Sequence, residues 1–315
     1  MTDVLNQIPT LSLAEQARDP DGFAQAIGNS FRTFGFAVVA DHGIDAGLID
    51  RAWDLTRQFF ALPEEVKRSY YSAELSGQRG YTPFGTEIAK DATHVDLKEF
   101  WHIGRDLPPG HRFRDHMPDN IWPKELPDFE PTFHQMYAAF DEAGNRLLSA
   151  IARYLGLAPN WFDPAVENGN SVMRLLHYPP IPADAPGIRA GAHGDINLIT
   201  QLLGAEEGGL QLLTREGEWL SITPPEGAMV INVGDMLERL TNHHLPSTIH
   251  RVLNPPPERR HIPRYSMPFF LHLASDFLIE TLPGCISAET PNRYPEPISA
   301  NDFLVQRLIE IGLKK

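Results

Sequence analysis

From Ser171 onward the chain breaks into short apolar runs separated by Gly, Pro and Asn, and this rhythm restricts the fold more than any other feature. Candidate strands cover 172–178, 198–203, 210–213, 219–222, 228–233, 247–253 and 265–273, punctuated by Gly217, Pro224-Pro225, Gly234 and Pro255-Pro256-Pro257. Many short strands at regular spacing specify a sandwich or barrel. The first half has a helical period instead. Asp19 and Asp21 offer caps ahead of Phe23, Ile27 and Phe31, which recur as one buried helical face requires. A short strand, Phe36-Ala37-Val38-Val39, precedes a second helix marked by Leu48, Ala52, Leu55 and Phe59, which stops before Pro63. Residues 72–95 are polar and read as a loop near a site entrance, and 129–155 reads as a long helix packed on a sheet. A last apolar set, Phe303, Leu304, Leu308 and Ile311, marks a helix over 303–313 that would close over a barrel mouth.

Within the strand-rich half stands His193-Gly194-Asp195, with His250 far downstream in Pro246-Ser247-Thr248-Ile249-His250-Arg251-Val252. Two imidazoles and one carboxylate are the protein ligands of the facial triad that holds a non-haem Fe(II) and leaves positions open for substrate and O₂. On extended backbone the His and Asp of such a triplet point to one side, because side chains repeat with period two. The distal His must then come from a neighbouring strand. The same period puts the Arg264 guanidinium and the Ser266 hydroxyl on one face, suited to clamping a carboxylate. Other polar residues read differently. His243 and His244 fall in a turn, where histidines are solvated. His177 faces away from Tyr178, His42 looks like packing, Asp235 like a turn residue after Gly234, and Arg251 must face away from His250.

Composition narrows the function classes. The formal charge of −14, with no long Lys/Arg run, disfavours a nucleic-acid partner. Cys285 stands alone, so no intrachain disulfide can form, which fits a reducing cytosol. No apolar run is long enough to span a bilayer, and the amino terminus lacks a basic segment followed by an apolar stretch. A cytoplasmic protein with a small-molecule substrate, and neither nucleic acid nor membrane as partner, is the expectation. Nothing in the sequence specifies an oligomeric state.

These motifs resemble the iron- and 2-oxoglutarate-dependent dioxygenases of the isopenicillin N synthase-like superfamily. The shared order is the HxD triplet, a distal His in a His-Arg-Val context, then Arg-x-Ser. Tyr178-Pro179-Pro180, Gly208-Gly209-Leu210-Gln211, Phe34-Gly35-Phe36 and Asp41-His42-Gly43-Ile44 match further segments, so the resemblance covers nearly the whole chain. It implies an α+β fold with a mainly β core. That core is a double-stranded β-helix, or jelly roll, with a helical amino-terminal region and a carboxy-terminal helix. The division would be a mixed α/β region over 1–165 and the jelly-roll core over 166–315, forming one compact unit.

By the same resemblance, His193, Asp195 and His250 bind Fe(II), and Arg264 and Ser266 hold the distal carboxylate of 2-oxoglutarate, with Tyr178 as a further donor. O₂ completes the set, and the co-substrate leaves as succinate and CO₂ while a small molecule is hydroxylated or desaturated. Leu176 departs from the pattern, since many plant relatives have Asn there, which makes Tyr178 a less secure contact than Arg264. Phe84, Phe100 and Phe270 are candidates for the substrate pocket, although aromatic residues in such runs, Trp101 and Phe269 included, are core more often than not. Four alternatives stay open: an oxidase of the isopenicillin N synthase type whose clamp holds substrate, an ethylene-forming variant, a non-catalytic jelly-roll metal or ligand sensor, and a zinc hydrolase.

Overall fold

The computed structural model describes residues 8–75, 77–87, 95–182, 185–204 and 208–310. Its elements run in the order β1 (Thr10–Ser12), α1 (Pro20–Phe34), β2 (Phe36–Ala40), α2 (Ala46–Phe60), α3 (Glu64–Arg68), β3 (Gly80–Thr82) and β4 (Glu99–Gly104). There follow α4 (Phe129–Tyr154), α5 (Asp163–Val166), β5 (Val172–Tyr178), β6 (Ala190–His193), β7 (Ile199–Leu203), β8 (Leu210–Leu213), β9 (Trp219–Ser221) and β10 (Met229–Val233). The chain then continues through α6 (Asp235–Leu240), β11 (His250–Val252), β12 (Arg264–Leu271), β13 (Leu278–Ile279), β14 (Ile298–Ser299) and α7 (Ala300–Glu310).

Two sheets form the core. The larger has the order β1-β2-β10-β7-β12-β5-β4-β3, and the smaller β6-β11-β8-β9. Period-two alternation gives each strand of the large sheet two different environments. Ala37, Val39, Trp101, Met173, Leu175, Met267, Phe269 and Leu271 belong to one apolar cluster shared with the helices. Phe36, Val38, Phe100, Leu176, Tyr178 and Val230 belong to a second, shared with Ala190, Leu212 and Val252 of the small sheet. The second cluster is the jelly-roll interior, and it contains the candidate site.

The helices support that interior from outside. α4 stacks Phe140 on Phe269 at 5.3 Å and sets Tyr137 edge-on to the same ring. Burying a ring of that size contributes roughly 1.5–3 kcal/mol. α1 begins at Asp19, whose side chain accepts from Gly22 N, and ends at Gly35 in the left-handed region at φ 69. Asp21 therefore sits in the first turn and does not cap. α3 is tied to the sheet through Lys67, which meets Glu99 of β4 at 2.8 Å, and Glu99 also accepts from His177 of β5 at 2.7 Å.

The strand rhythm located every long strand of the second half and blurred the short ones. β6, β13 and β14 have too few apolar residues to show a period, and the 247–253 candidate shrinks to His250–Val252. Ser247 N instead donates to the Glu238 carboxylate, which takes that segment out of the ladder. The 72–95 loop contains β3, which pairs with β4, while 76 and 88–94 lie outside the described residues. Asp235 opens α6 and is not part of a turn. α7 starts at Ala300, before the expected Phe303, and its Arg307 docks on Asp235 at 3.0 Å; 311–313 lie outside the described residues. No helix among the described residues is long and apolar enough to cross a membrane.

Candidate metal centre

β6 and β11 run antiparallel with His193 opposite His250. Directly opposed residues in such a pair present side chains on one face, close enough to touch, and the two imidazole centroids are 4.4 Å apart. Asp195 arrives differently from the expectation. β6 ends at His193, so the carboxylate is delivered by the irregular segment just after the strand. That segment is held by Asp235 N, the first residue of α6, which donates to the Asp195 carbonyl at 2.7 Å.

The three side chains converge. Asp195 Oδ1 lies 3.9 Å from Nε2 of both His193 and His250. Each separation is shorter than two metal–ligand bonds of about 2.0–2.2 Å laid end to end, so one ion can bridge all three. Among the described residues this is the group of His, Cys, Asp and Glu side chains arranged to hold a metal. The other ring nitrogens fix the tautomers. His193 Nδ1 faces the Gly191 carbonyl at 2.7 Å and His250 Nδ1 the Thr248 carbonyl at 3.2 Å. A carbonyl can only accept, so each Nδ1 carries the proton and each Nε2 keeps its lone pair for the ion.

Asp195 is prepared in the same way. Its Oδ2 accepts from Thr200 Oγ1 at 2.5 Å and from Asn232 Nδ2 at 2.8 Å, which leaves Oδ1 for coordination. Asn197 Nδ2 donates in turn to Thr200 at 3.0 Å. Burial opposes ionisation of Asp195, but the two histidines and these donors outweigh it and hold its carboxyl below the ordinary range. Burial, reinforced by His250, pushes the His193 imidazole down to about 4. Its side chain is still 40% exposed, so solvent reaches the ring and its desolvation is partial. Neutral imidazole beside ionised carboxylate is the donor set a ferrous ion takes.

Comparison with known proteins fits this geometry. Residues 169–273 match the 2OG-Fe(II) oxygenase superfamily, and residues 8–125 match the family described as non-haem dioxygenase in morphine synthesis N-terminal. A 2-oxoglutarate-Fe(II) type oxidoreductase, hxnY, of Emericella nidulans is 35% identical over 89% of this chain and 82% of its own.

The chain belongs to the 2OG-Fe(II) oxygenases.

Solved structures agree. A 2OG-Fe(II) oxygenase family protein of Caulobacter crescentus is 59% identical, with a TM-score of 0.92 over 97% of this chain and 99% of that one. A Neurospora crassa protein solved in complex with alpha-KG and thymine is 31% identical, with a TM-score of 0.86 over 98% of each. The protein is accordingly an oxidoreductase whose family uses Fe(II), 2-oxoglutarate and O₂.

In this oxygenase the residues expected to form the clamp meet across β5 and β12. Arg264 is the register partner of Tyr178, and Leu176 is that of Ser266. Arg264 Nη1 donates to Ser266 Oγ at 3.1 Å, and its guanidinium lies 5.0 Å from the Tyr178 ring centroid. All three are buried. The aromatic candidates separate. Phe100 and Phe270 both lie against Arg174, but Phe100 is only 3% exposed and belongs to the buried core. Phe84 is 44% exposed and makes no ring contact among the described residues.

His177, His42 and His243 have structural contacts. His177 stacks on Tyr265 and bonds Glu99, and His42 Nε2 meets the Gly227 carbonyl at 2.9 Å. His243 is partnered, not simply solvated, with Nε2 2.5 Å from the Tyr294 hydroxyl. Arg251 faces out onto Trp219 and Gln211. Thr200, Asn232 and Arg174 escaped sequence reasoning. For Arg174 a signal existed, a lone cation inside the apolar run of β5.

Proposed function

We propose that His193, Asp195 and His250 coordinate the Fe(II), and that Arg264 and Ser266, with Tyr178 beside them, bind the distal carboxylate of 2-oxoglutarate. The observation that carries this reading is the cross-strand pairing of His193 with His250 around a carboxylate oxygen equidistant from both at 3.9 Å. Bound there, iron with 2-oxoglutarate and O₂ would supply the oxidising chemistry, with succinate and CO₂ released. The chain's own residues do the rest. Gly191 and Thr248 carbonyls orient the imidazoles, while Thr200 and Asn232 orient the carboxylate. Phe36, edge-on to His250 at 5.5 Å, and Leu176, opposite Ser266, exclude water from the two ends of the site.

The substrate would be a small molecule that enters past the exposed side of His193, and its reaction a hydroxylation or desaturation. Relatives bound to thymine or to 5-formyluracil support a substrate of that size. Incubation with Fe(II), 2-oxoglutarate and O₂ should yield succinate and CO₂ in equal amounts, and His250→Ala should yield neither. Oxygen uptake without loss of 2-oxoglutarate would favour the oxidase reading, and normal turnover by His250→Ala would reassign the metal site. The division at 165/166 and a cytoplasmic setting are readings of the same kind, checked by limited proteolysis and cell fractionation.

A further inference from the structure

A second charged constellation lies inside the barrel beside the site above. Side chains alternate along β5, so Arg174 shares the interior face with Leu176 and Tyr178. Its guanidinium carbon lies 4.2 Å from the Phe100 ring centroid and 5.3 Å from that of Phe270. Arg174 Nε donates to His102 Nε2 at 2.5 Å, and His102 Nδ1 faces the Gly77 carbonyl at 2.7 Å. The two terminal nitrogens face Glu87, each at 3.4 Å. Those contacts are long for charge-assisted bonds. Glu87 has a closer partner in Lys98 at 2.9 Å, and Lys98 also meets Asp96 at 2.9 Å.

Three features define what this corner can hold. A guanidinium carries five N–H donors, and three of those of Arg174 are engaged among the described residues, two of them weakly. Among the described residues charge is balanced, with Arg174 and Lys98 set against Glu87 and Asp96. His102 adds none, because burial, reinforced by Arg174, holds its imidazole well below the usual range. An entering anion would therefore meet the Glu87 carboxylate beside the guanidinium and leave excess charge in a poorly hydrated place. An uncharged acceptor would not. The third feature is shape: planar groups flank the guanidinium, and one of them, Phe270, is only half-buried.

We propose that Arg174 anchors the prime substrate, and that this substrate is a small, flat, uncharged molecule carrying a carbonyl-type acceptor, as in a lactam or imide ring. The anchor rests on the metal-site reading above. Four residues of strand, about 13 Å, separate Arg174 from Tyr178, so a molecule of one or two rings held at Arg174 would not reach the carboxylate clamp, whereas Lys98, which interacts with Arg174, also acts electrostatically on His193 of the triad. His102 and Glu87 are positioning residues that aim the guanidinium.

The test is calorimetric titration of the full-length protein, loaded anaerobically with Mn(II) and 2-oxoglutarate, using three probes. Thymine is an uncharged imide, orotate a related ring with a carboxylate, and indole a flat ring with no carbonyl. Thymine should bind at least about tenfold more tightly than either of the others, the loss expected when a charged donor has no acceptor or faces a repelled one. Arg174→Leu should erase that preference while 2-oxoglutarate affinity stays the same, and Glu87→Gln should shift preference towards orotate. If Arg174→Leu loses 2-oxoglutarate binding as well, Arg174→Lys takes its place. Lys keeps the charge but loses the fork, so thymine binding should still weaken. Orotate binding as tightly as thymine, thymine binding unchanged by these Arg174 variants, or no thymine binding in a protein that binds 2-oxoglutarate would each overturn the anchor. Failure of 2-oxoglutarate itself to bind would instead overturn the reading beneath it.

Discussion

Asp195 shows how a single carboxylate becomes a ligand of defined geometry: two donors occupy Oδ2 and only Oδ1 is left to face the imidazoles. Partners of this kind orient a ligand as much as the ligand's own backbone does, and their loss costs about 10–100-fold in metal affinity. Asn232→Ala should weaken Fe(II) binding within that range, measured by equilibrium dialysis, while leaving the far-ultraviolet circular dichroism unchanged. At the other end, Arg264→Ala should remove the proposed charge-assisted clamp, worth about 1.5–3 kcal/mol. The KM for 2-oxoglutarate should rise by about 10–150-fold, with a smaller effect on kcat. An unchanged KM would move the co-substrate elsewhere. His193, Asp195 and His250 were legible in the sequence because each motif carries its own chemistry. Thr200 and Asn232 were not, because their task arises only when β7 and β10 lie side by side beneath the metal loop.

At the level of elements, the approach of α1 and β2 to the segment before β11 sets where His250 stands. Gly35 joins α1 to β2 in the left-handed region, and its carbonyl accepts from Val233 N at 2.9 Å. A Cβ there would overlap Thr248 Oγ1 and come within 2.7 Å of the Pro246 carbonyl. Gly35→Ala should therefore cost about 1 kcal/mol in backbone strain and a further 1–3 kcal/mol in overpacking. Both a lower melting temperature and weaker metal binding should follow, because the displaced residues carry the carbonyl that orients His250. A variant less stable but with unaltered metal affinity would show that the segment yields without moving the ring. The long elements were legible because their periods are strong: α1, α2, α4, β5 and β8 fall where apolar spacing put them. β6 was missed because Ala190-Gly191-Ala192-His193 offers no apolar alternation, and it exists through its ladder with β11.

The whole molecule places its polar site between two sheets, and that burial gives its stability a pH dependence of defined sign. His272 is buried, and burial, only partly offset by Asp195, lowers its imidazole to about 4. The native state keeps the ring neutral while the unfolded chain takes up a proton below its ordinary value of about 6.5. Stability is thus fully present above that value and falls as pH drops towards the folded value, by at most about 3 kcal/mol for this group. Chemical denaturation of the metal-free protein should show the decline beginning before carboxylates titrate, and His272→Gln should make it shallower, leaving the share due to His193 and His102. A profile with no slope between pH 6.5 and about 4.5 would mean the ring is hydrated. The jelly roll as a whole was legible from strand rhythm and family resemblance together. The layering was not, because only the register shows that one face of β5 meets the helices and the other the small sheet.

The most direct test of the site is anaerobic titration of the metal-free protein with Fe(II) and then 2-oxoglutarate, followed by visible absorption. A weak charge-transfer band that appears only when both are present, and is absent from His250→Ala and displaced to higher 2-oxoglutarate concentrations in Arg264→Ala, is the expected result. Iron that binds tightly with no band at saturating 2-oxoglutarate would contradict the assignment of these residues to one iron and its co-substrate.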